Sequence, residues 1–243
     1  MQKKESKAVT EFSRFAHQYN HYNMIQAEVA KALVAQLPMD DYTTVVDIGC
    51  GSGEVYKNIE RCGYSFKEYI ALDSSKEMLA LHPSAQNIIK FQADFNVSET
   101  YSHFHTDSKS ILLSSSALQW SKELDFTIKQ LSGKCEKAYF SIFTSGTFKT
   151  LHKIANIDSP IYTEQKLREM LERYYDASFK TRVYKLDFEN VREMFQYIKK
   201  SGVSGGEKQL SYKQTKHLMQ SYPLKYLEFE VLFMEGVSKK TVK

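Results

Sequence analysis

The sequence predicts an α/β fold in which helices cover both faces of a mostly parallel β-sheet. Between residues 43 and 143, short apolar or β-branched runs alternate with helical patterns, which is typical of βαβ units. The first of these runs leads through a glycine-rich turn, Val45–Glu54, into a helical pattern. A strand that enters a helix through such a turn is typical of a nucleotide-type binding site.

The order of elements follows from hydrophobic periodicity and from glycine and proline positions. Two helices are predicted ahead of the sheet, at Glu5–Ala16 and Asn23–Leu37. The predicted strands are Thr43–Ile48, Glu68–Leu72, Ile88–Phe91, Ser110–Ser114, Lys137–Phe143, Ser178–Phe188 and Tyr226–Met234. The predicted helices among and after them are Glu54–Arg61, Ser75–Leu81, Leu124–Leu131, Thr163–Tyr174, Val191–Lys200 and Lys213–Ser221.

This order suggests three parts. We expect residues 1–38 to form an N-terminal helical lid, residues 39–188 and 224–243 the core, and residues 189–223 a small helical cap inserted before the last strand. A chain of 243 residues is long enough for one such domain, and at 42% hydrophobic residues it can bury a substantial core.

Composition also indicates the cellular compartment and the kind of partner. The three cysteines are scattered, which argues for a reducing compartment and against a disulfide framework or a zinc site. With no apolar run of the ~20 residues that span a bilayer and no secretory signal pattern, we expect a cytoplasmic protein without membrane contact. The net charge is −1 over residues 1–150 and +5 over residues 151–243. This excess is less dense than the basic stripe of a nucleic-acid binder, although it suits an acidic partner.

The glycine turn is the candidate cofactor loop. Asp47 is followed by Gly49, Gly51 and Gly53, and glycine lets the backbone approach a ligand and adopt positive φ. The second strand then ends at Asp73, followed by Ser74. An acid at that place can accept hydrogen bonds from both hydroxyls of a ribose.

The third strand is followed by another acid, which extends the pattern. Asp94 can accept a hydrogen bond from the exocyclic amine of an adenine, while Phe95 or Met78 packs on the ring. Cys50, inside the glycine turn, is interpreted as a packing residue and not as a nucleophile. The acids follow successive strands, so they meet at one edge of the sheet.

The glycine spacing separates two cofactor classes. Dinucleotide sites use G-x-G-x-x-G, whereas this turn reads D-x-G-C-G-x-G. It resembles the first motif of class I S-adenosylmethionine-dependent methyltransferases, and ALDSS and QADF resemble their ribose and adenine motifs. The resemblance implies a Rossmann-like, seven-stranded fold, S-adenosylmethionine as cofactor, S-adenosylhomocysteine as product, and no metal.

A more specific segment follows the fourth strand. Ser114–Trp120 reads SSSALQW and contains the only tryptophan of the chain. It resembles a segment of the malonyl-acyl-carrier-protein O-methyltransferases of biotin synthesis. FSRFAHQY, residues 12–19, resembles their N-terminal motif, and Gln26 and the SYPLKY ending also match. Ser115 departs from the family, which usually has asparagine there.

This second resemblance implies a substrate and a site. The substrate is the free carboxylate of a malonyl thioester on acyl-carrier protein or coenzyme A, which needs no general base because the carboxylate is already ionised at neutral pH. The expected substrate cavity includes Tyr19, Gln26, Gln119 and Trp120, and Tyr19 and Ser114 are also expected at the cofactor. We expect a monomer. The cation for the malonyl carboxylate stays open among Lys149, Lys153, Lys199 and Lys200.

Three alternatives remain. A methyltransferase of the same class could act on another small carboxylate or a hydroxyl, or the fold could serve as a non-catalytic sensor of its ligand. A nucleic-acid methyltransferase is disfavoured, because the chain lacks an Asn/Asp-Pro-Pro-Tyr tetrapeptide. His103 and His105 stand close together, but two ligands in a polar loop make a poor metal site.

Overall fold

The computed structural model describes residues 23–104, 106–200 and 210–239. The predicted first helix, Glu5–Ala16, therefore lies outside the described residues, as do Tyr19 and His105. The side chains of Lys199 and Lys200 are not described either, although their backbone belongs to a helix.

A seven-stranded sheet forms the centre of the molecule, in the order β3-β2-β1-β4-β5-β7-β6. The first five strands pair in parallel, and β7 runs antiparallel between β5 and β6. This confirms the predicted seven-stranded, mostly parallel sheet. The strands are β1 (Asp41–Ile48), β2 (Ser65–Asp73), β3 (Ile88–Gln92), β4 (Ile111–Ser115), β5 (Lys137–Phe143), β6 (Tyr175–Asp187) and β7 (Tyr226–Ser238).

Eight α-helices lie among these strands in the described residues. They are α1 (Met24–Val34), α2 (Glu54–Cys62), α3 (Lys76–Leu81), α4 (Leu124–Leu131), α5 (Lys149–Ala155), α6 (Glu164–Leu171), α7 (Val191–Lys200) and α8 (Tyr212–Ser221). Two short 3-10 helices add Ser98–His103 and Leu118–Trp120. None of the helices in the described part of the chain has both the length and the apolar character needed to cross a bilayer.

Several element boundaries differ from the prediction. Helix α1 ends at Val34, three residues before the predicted end at Leu37. Strand β6 begins at Tyr175, three residues before its predicted start at Ser178, because its pairing with β7 starts there, at Ser238. Helix α5 was not predicted. It lies between two residues in the left-handed region, Phe148 (φ 57°) and Asn156 (φ 51°). Residues other than glycine rarely adopt this conformation, so the sequence did not indicate that a helix begins and ends there.

The two faces of the sheet bury separate cores, as the alternation along β1 shows. Val45 packs on one face, whereas Val46 and Ile48 pack on the other, because successive side chains of a strand point to opposite faces. The Val45 face is covered by α1, α2, α3, α5, α7 and α8, and the Val46 face by α4 and α6. Asp47 follows the alternation and lies on the Val45 face, beneath the glycine turn.

The β6–β7 pair reaches beyond the carboxyl edge of the central strands. β7 pairs with β5 only over Val231–Val237, but with β6 over its whole length. Buried side chains of α7 and α8, among them Met194 and Leu218, join the core on the Val45 face. The division into a lid at 1–38, a core and a cap at 189–223 stays a prediction.

Candidate functional site

The glycine turn has the backbone geometry that its sequence predicts. Gly49, Gly51 and Gly53 have φ values of 71°, 53° and 85°, in the region that side chains disfavour. The amides of Gly49 and Cys50 both donate to the carbonyl oxygen of Leu72, at 2.8 and 2.9 Å. The end of β2 therefore holds the start of the turn in place.

The first and third glycines are also required by packing. A Cβ atom on Gly49 would lie 2.3 Å from Cβ of Ala117, and one on Gly53 would lie 2.7 Å from Cδ of Pro83. A Cβ on Gly51 would meet only the tip of Met78, at 3.4 Å. The turn is thus wedged between two neighbouring loops at its ends, while its centre adjoins open space.

Asp73 connects the turn to the end of β2. Its Oδ2 atom accepts a hydrogen bond from the Gly51 amide at 2.9 Å, and its Oδ1 atom accepts one from the Ser75 amide at 2.8 Å. Burial raises the pKa of the Asp73 carboxyl, and the backbone amide donors oppose that rise. Each oxygen retains a lone pair, so the carboxylate is held in one orientation and can still accept from a ligand.

Asp47 is placed differently from the other acids. Its side chain is fully buried, and its Oδ2 atom accepts a hydrogen bond from the Tyr69 hydroxyl at 2.8 Å. Burial raises the pKa of Asp47 to about 7, the Tyr69 hydrogen bond lowers it, and Asp73 raises it. The acid supports the turn from below instead of lining the open space above it.

Cys50 is buried, and burial raises the pKa of its thiol well above the usual value, with smaller contributions in the same direction from Asp73 and Asp47. A thiol held in its protonated form is a poor nucleophile. This environment supports the interpretation of Cys50 as a packing residue.

One cleft, partly open to solvent, brings most of the predicted site residues together. The predicted residues that line it are Gln26, Gly49, Cys50, Gly51, Asp73, Ser74, Met78, Asp94, Phe95 and Trp120. The lining residues that sequence reasoning missed are Ala30, Ser52, Glu54, Val55, Ser75, Asn96, Ser115, Ser116 and Ala117. Most of these adjoin a predicted residue in the chain.

Four predicted residues do not line the cleft. Besides Asp47, these are Gly53, Ser114 and Gln119. The Ser114 hydroxyl donates to the carbonyl oxygen of Ile48 at 2.8 Å, which ties β4 to β1. The Gln119 amide donates to the carbonyl oxygen of Ser116 at 2.7 Å and so folds the segment before Trp120. Both residues shape the wall from behind it.

The residues of the cleft fit a polar, positively charged ligand. Among the described residues, its charged lining consists of Glu54, Asp73 and Asp94, with no lysine or arginine. Among the described residues, Gln26 Oε1, Ser52 Oγ and Ser116 Oγ are buried and have no hydrogen-bond partner, although such groups are normally satisfied. These orphaned atoms mark where ligand groups can bind.

Ser116 carries an additional signal. It is one of three described non-glycine residues with positive φ, at 58°, and its amide donates to the carbonyl oxygen of Ser141 at 2.8 Å. Such strain is often found at binding sites. No sequence pattern predicts this positive φ, because it depends on how the chain passes Gly49 after it leaves β4.

Two other predictions concern charged groups and metals. Lys149 lines a second cleft, more open to solvent, with Arg168 and Glu230, apart from the main one. The described residues contain no cluster of three or more histidine, cysteine or acidic side chains that could hold a metal ion. His103 is at the end of a short 3-10 helix, and its predicted neighbour His105 lies outside the described residues.

Comparison with known families supports the fold. Residues 46–136, which carry the glycine turn, Asp73, Asp94 and Trp120, match the family described as a methyltransferase domain. The chain has the class I methyltransferase fold. Its cofactor is S-adenosylmethionine, which is positively charged at sulfur and so complements the acidic lining of the cleft.

Curated relatives of this methyltransferase carry a more specific name. A malonyl-[acyl-carrier protein] O-methyltransferase of Bacillus cytotoxicus is 23% identical over 215 residues, covering 79% of this chain and 74% of the relative. One of Bacteroides fragilis is 24% identical over 207 residues, covering 80% of this chain but 40% of the relative. These identities are low, and the chain spans less than half of the second relative.

Solved structures support the fold at still lower identity. A chain of the complex between the Haloferax volcanii Trm112 methyltransferase activator and a putative methyltransferase aligns with a TM-score of 0.63 and 16% identity, covering 97% of this chain and 99% of that one. Haemonchus contortus phosphoethanolamine N-methyltransferase 2 in complex with S-adenosylmethionine aligns with a TM-score of 0.55 and 12% identity, covering 94% of this chain and 57% of that one.

Proposed function

We propose that this methyltransferase transfers a methyl group to the free carboxylate of a malonyl thioester, carried by acyl-carrier protein or coenzyme A. The product would be the methyl ester that starts the pimelate chain of biotin. One observation carries the proposal: curated relatives with this activity in their names match about four-fifths of the chain, at 23% and 24% identity. The resemblance in the Ser114–Trp120 segment supports it, since Trp120 lines the cleft.

The reaction requires little acid–base catalysis from the protein. Bound S-adenosylmethionine supplies an electrophilic methyl group, and the malonyl carboxylate is ionised at neutral pH, so no group has to remove a proton. The lining of the cleft in the described residues contains no histidine or lysine, which suits such a reaction. The task of the protein is to hold both ligands in line, and this positioning alone can contribute several kcal/mol.

Exclusion of water is the second task. The reaction combines a carboxylate with a sulfonium and leaves two neutral groups, so a dry environment favours it. Phe95, Met78 and Trp120 supply apolar wall around the acidic groups. We propose that the N-terminal segment around Tyr19 closes over the cofactor as a lid, and that residues 189–223 form a cap over the substrate.

The substrate carboxylate needs a partner that the acidic lining does not supply. The Gln26 side chain lines the cleft and can donate hydrogen bonds through its amide nitrogen. The lysine that pairs with the malonyl carboxylate is not identified. Lys149 lies in the second cleft, and neither it nor Lys153 lines the main one. Of the four lysines considered, Lys199 and Lys200, whose side chains are not described, are therefore the remaining candidates.

The test is incubation of the purified protein with labelled S-adenosylmethionine and three acceptors: malonyl-acyl-carrier protein, malonyl-coenzyme A and acetyl-acyl-carrier protein. We expect label in a base-labile ester on one or both malonyl acceptors and none on the acetyl control. Methylation of the acetyl form would show that the free carboxylate is not the target. Methylation of none of the three would favour another small acceptor, or a protein that only binds S-adenosylmethionine.

A further inference from the structure

A buried tyrosine–aspartate pair lies beneath the cofactor turn. Tyr69 belongs to β2, and Asp47 belongs to β1, two residues before Gly49. Both side chains are fully buried, and the Tyr69 hydroxyl donates to Oδ2 of Asp47 at 2.8 Å. Neither residue lines the cleft. Asp47 was predicted from its spacing to the glycines, whereas no sequence pattern pointed to Tyr69.

The second oxygen of Asp47 is not satisfied by the protein. Its Oδ1 atom is buried without a hydrogen-bond partner among the described residues. Burying a carboxylate without full pairing is costly, so its retention directly below a binding loop points to a role toward a ligand. The protein therefore needs an interaction that stabilises the ionised form of this carboxyl.

Among the groups around Asp47, the Tyr69 hydroxyl supplies that interaction. Asp73 of β2 and Cys50 of the turn also face this carboxyl, and both are neutral or negative. Burial and the Asp73 charge favour the protonated acid, and the Tyr69 hydrogen bond favours the carboxylate. Within the described part of the chain, no cationic group contributes to the pKa of Asp47.

The tyrosine ring is itself held in place by an aromatic layer. Tyr56 of α2 packs edge-on against it with ring centroids 5.1 Å apart, and His82 lies 5.9 Å away. Burial lowers the pKa of His82, which keeps this ring neutral near pH 7, so it adds no positive charge below the turn. Because His82 and Pro83 also contact the position of a Gly53 Cβ, the same layer supports the turn and the hydroxyl.

We propose that Tyr69 is a positioning residue that holds Asp47 as an oriented carboxylate below the glycine turn, where its charge favours the cationic methyl donor over the neutral product. S-adenosylmethionine carries a positive sulfur, and S-adenosylhomocysteine does not. A buried negative charge close to the cofactor therefore strengthens binding of the donor selectively and assists product release. This role does not depend on which acceptor is methylated.

The test compares donor and product affinity across pH. Binding of S-adenosylmethionine and of S-adenosylhomocysteine is measured by calorimetry between about pH 5.5 and 8.5, and the ratio of the two affinities is followed. The ratio isolates the sulfur charge, because the two ligands share their amino and carboxylate groups. For the native protein we expect the ratio to rise with pH through the titration of Asp47, near pH 7.

Tyr69→Phe keeps the buried ring and removes the hydroxyl. We expect donor affinity at pH 7 to fall about fivefold, product affinity to change by less than about twofold, and the rise in the ratio to move to higher pH. Tyr56→Phe is the matched control, since it removes a hydroxyl from the same aromatic layer without a bond to Asp47. This control should keep the native pH profile.

Two results would overturn the proposal. Equal weakening of donor and product in Tyr69→Phe would assign the tyrosine to packing alone, and an unchanged pH profile would show that Asp47 is not under its control. A ligand-free measurement gives an independent readout: carbon NMR of aspartate-labelled protein, with the Asp47 signal assigned through Asp47→Asn. Its titration midpoint must move upward in Tyr69→Phe, and an unmoved midpoint rejects the proposal. If Tyr69→Phe does not fold, Asp47→Asn must flatten the pH dependence of the affinity ratio.

Discussion

At the scale of single residues, Gly49 is constrained twice. Its φ of 71° disfavours any side chain, and a Cβ there would lie 2.3 Å from Ala117. Gly63, at the end of α2, has a similar φ of 73° but nothing within 4 Å of a Cβ. The two glycines therefore share the backbone conformation and differ in the space around it, so they form a matched pair.

We predict that Gly49→Ala destabilises the protein by about 2–5 kcal/mol, from backbone strain plus overpacking. Gly63→Ala should cost about 1–2 kcal/mol, from strain alone. Urea unfolding measures both, and calorimetry should show loss of S-adenosylmethionine binding only for Gly49→Ala. Equal costs for the two variants would mean that the loop containing Ala117 yields easily, and that the turn is less constrained than it appears from the packing.

Asp47 gives a residue-scale prediction of opposite sign. Its carboxyl has a pKa of about 7 in the folded protein, above the ordinary value of 3.8. The folded state therefore holds a proton that the unfolded state has released between about pH 4 and 7, and the free energy of unfolding falls as pH rises through this window. Above pH 7 the full cost of the buried charge is present.

Asp47→Asn should therefore make the ligand-free protein more stable at pH 8, by up to about 4 kcal/mol, and bring little gain near pH 4. At the same time it should weaken S-adenosylmethionine binding. Thermal unfolding at the two pH values tests this. A variant that is less stable than the native protein at pH 8 would show that Asp47 is not a strained buried charge.

The sequence predicted some residues of this site, and there is a physical reason why it did not predict the others. The acids Asp73 and Asp94 were predictable, because strand order brings carboxyl ends to one edge of the sheet, and both line the cleft. The orientation of Asp47 toward the buried layer, and the positive φ of Ser116, depend on contacts between loops far apart in the chain. Tyr69 was read only as a strand residue, since nothing local distinguishes it from its neighbours.

At the scale of elements, two helices begin with the same capping contact in different places. The Ser75 hydroxyl accepts from the Met78 amide at the start of α3, and the Thr163 hydroxyl accepts from the Lys166 amide at the start of α6, each at 3.2 Å. Thr163 was predicted as a cap from its sequence position, and the structure confirms it. Of the two caps, only Ser75 lines the main cleft, together with Met78.

Ser75→Ala and Thr163→Ala should each lower stability by about 1 kcal/mol, the usual value of an N-cap. Only Ser75→Ala should weaken S-adenosylmethionine binding, by up to about fivefold, because it loosens the turn that presents Met78 to the cofactor. Unfolding and calorimetry separate the two effects. If Thr163→Ala weakened the donor equally, cap loss would act on the whole fold and not on α3.

Element predictions succeeded where a strand is buried on both faces. Such strands read as apolar runs, and β5 was placed without error, at Lys137–Phe143. Near the end of the chain the signal weakens, because β6 lies at the edge of the sheet and alternates between exposed and partly buried residues. There the pairing with β7, which local sequence does not reveal, decides where the strand begins.

At the scale of the whole molecule, charge is distributed unevenly. Residues 151–243 carry an excess of +5, against −1 in the rest of the chain. The described lining of the cleft is acidic, so the positive excess does not serve the methyl donor. It suits attraction of an acidic macromolecule to the part of the chain that follows β5. Lys180 on β6 and Lys67 on β2 are exposed lysines from the two regions.

If acyl-carrier protein is the partner, KM for the malonylated carrier should rise by roughly an order of magnitude between about 0.05 and 0.3 M salt, because salt screens attraction between exposed charges. The affinity for S-adenosylmethionine, which binds inside the cleft and away from the exposed lysines, should change much less. Lys180→Glu should raise KM for the carrier, and Lys67→Glu, with the same change in net charge, should leave it near the native value. Steady-state kinetics with both variants checks this. A KM that ignores salt, or that responds equally to the two reversals, would show that the basic part of the chain does not guide the carrier.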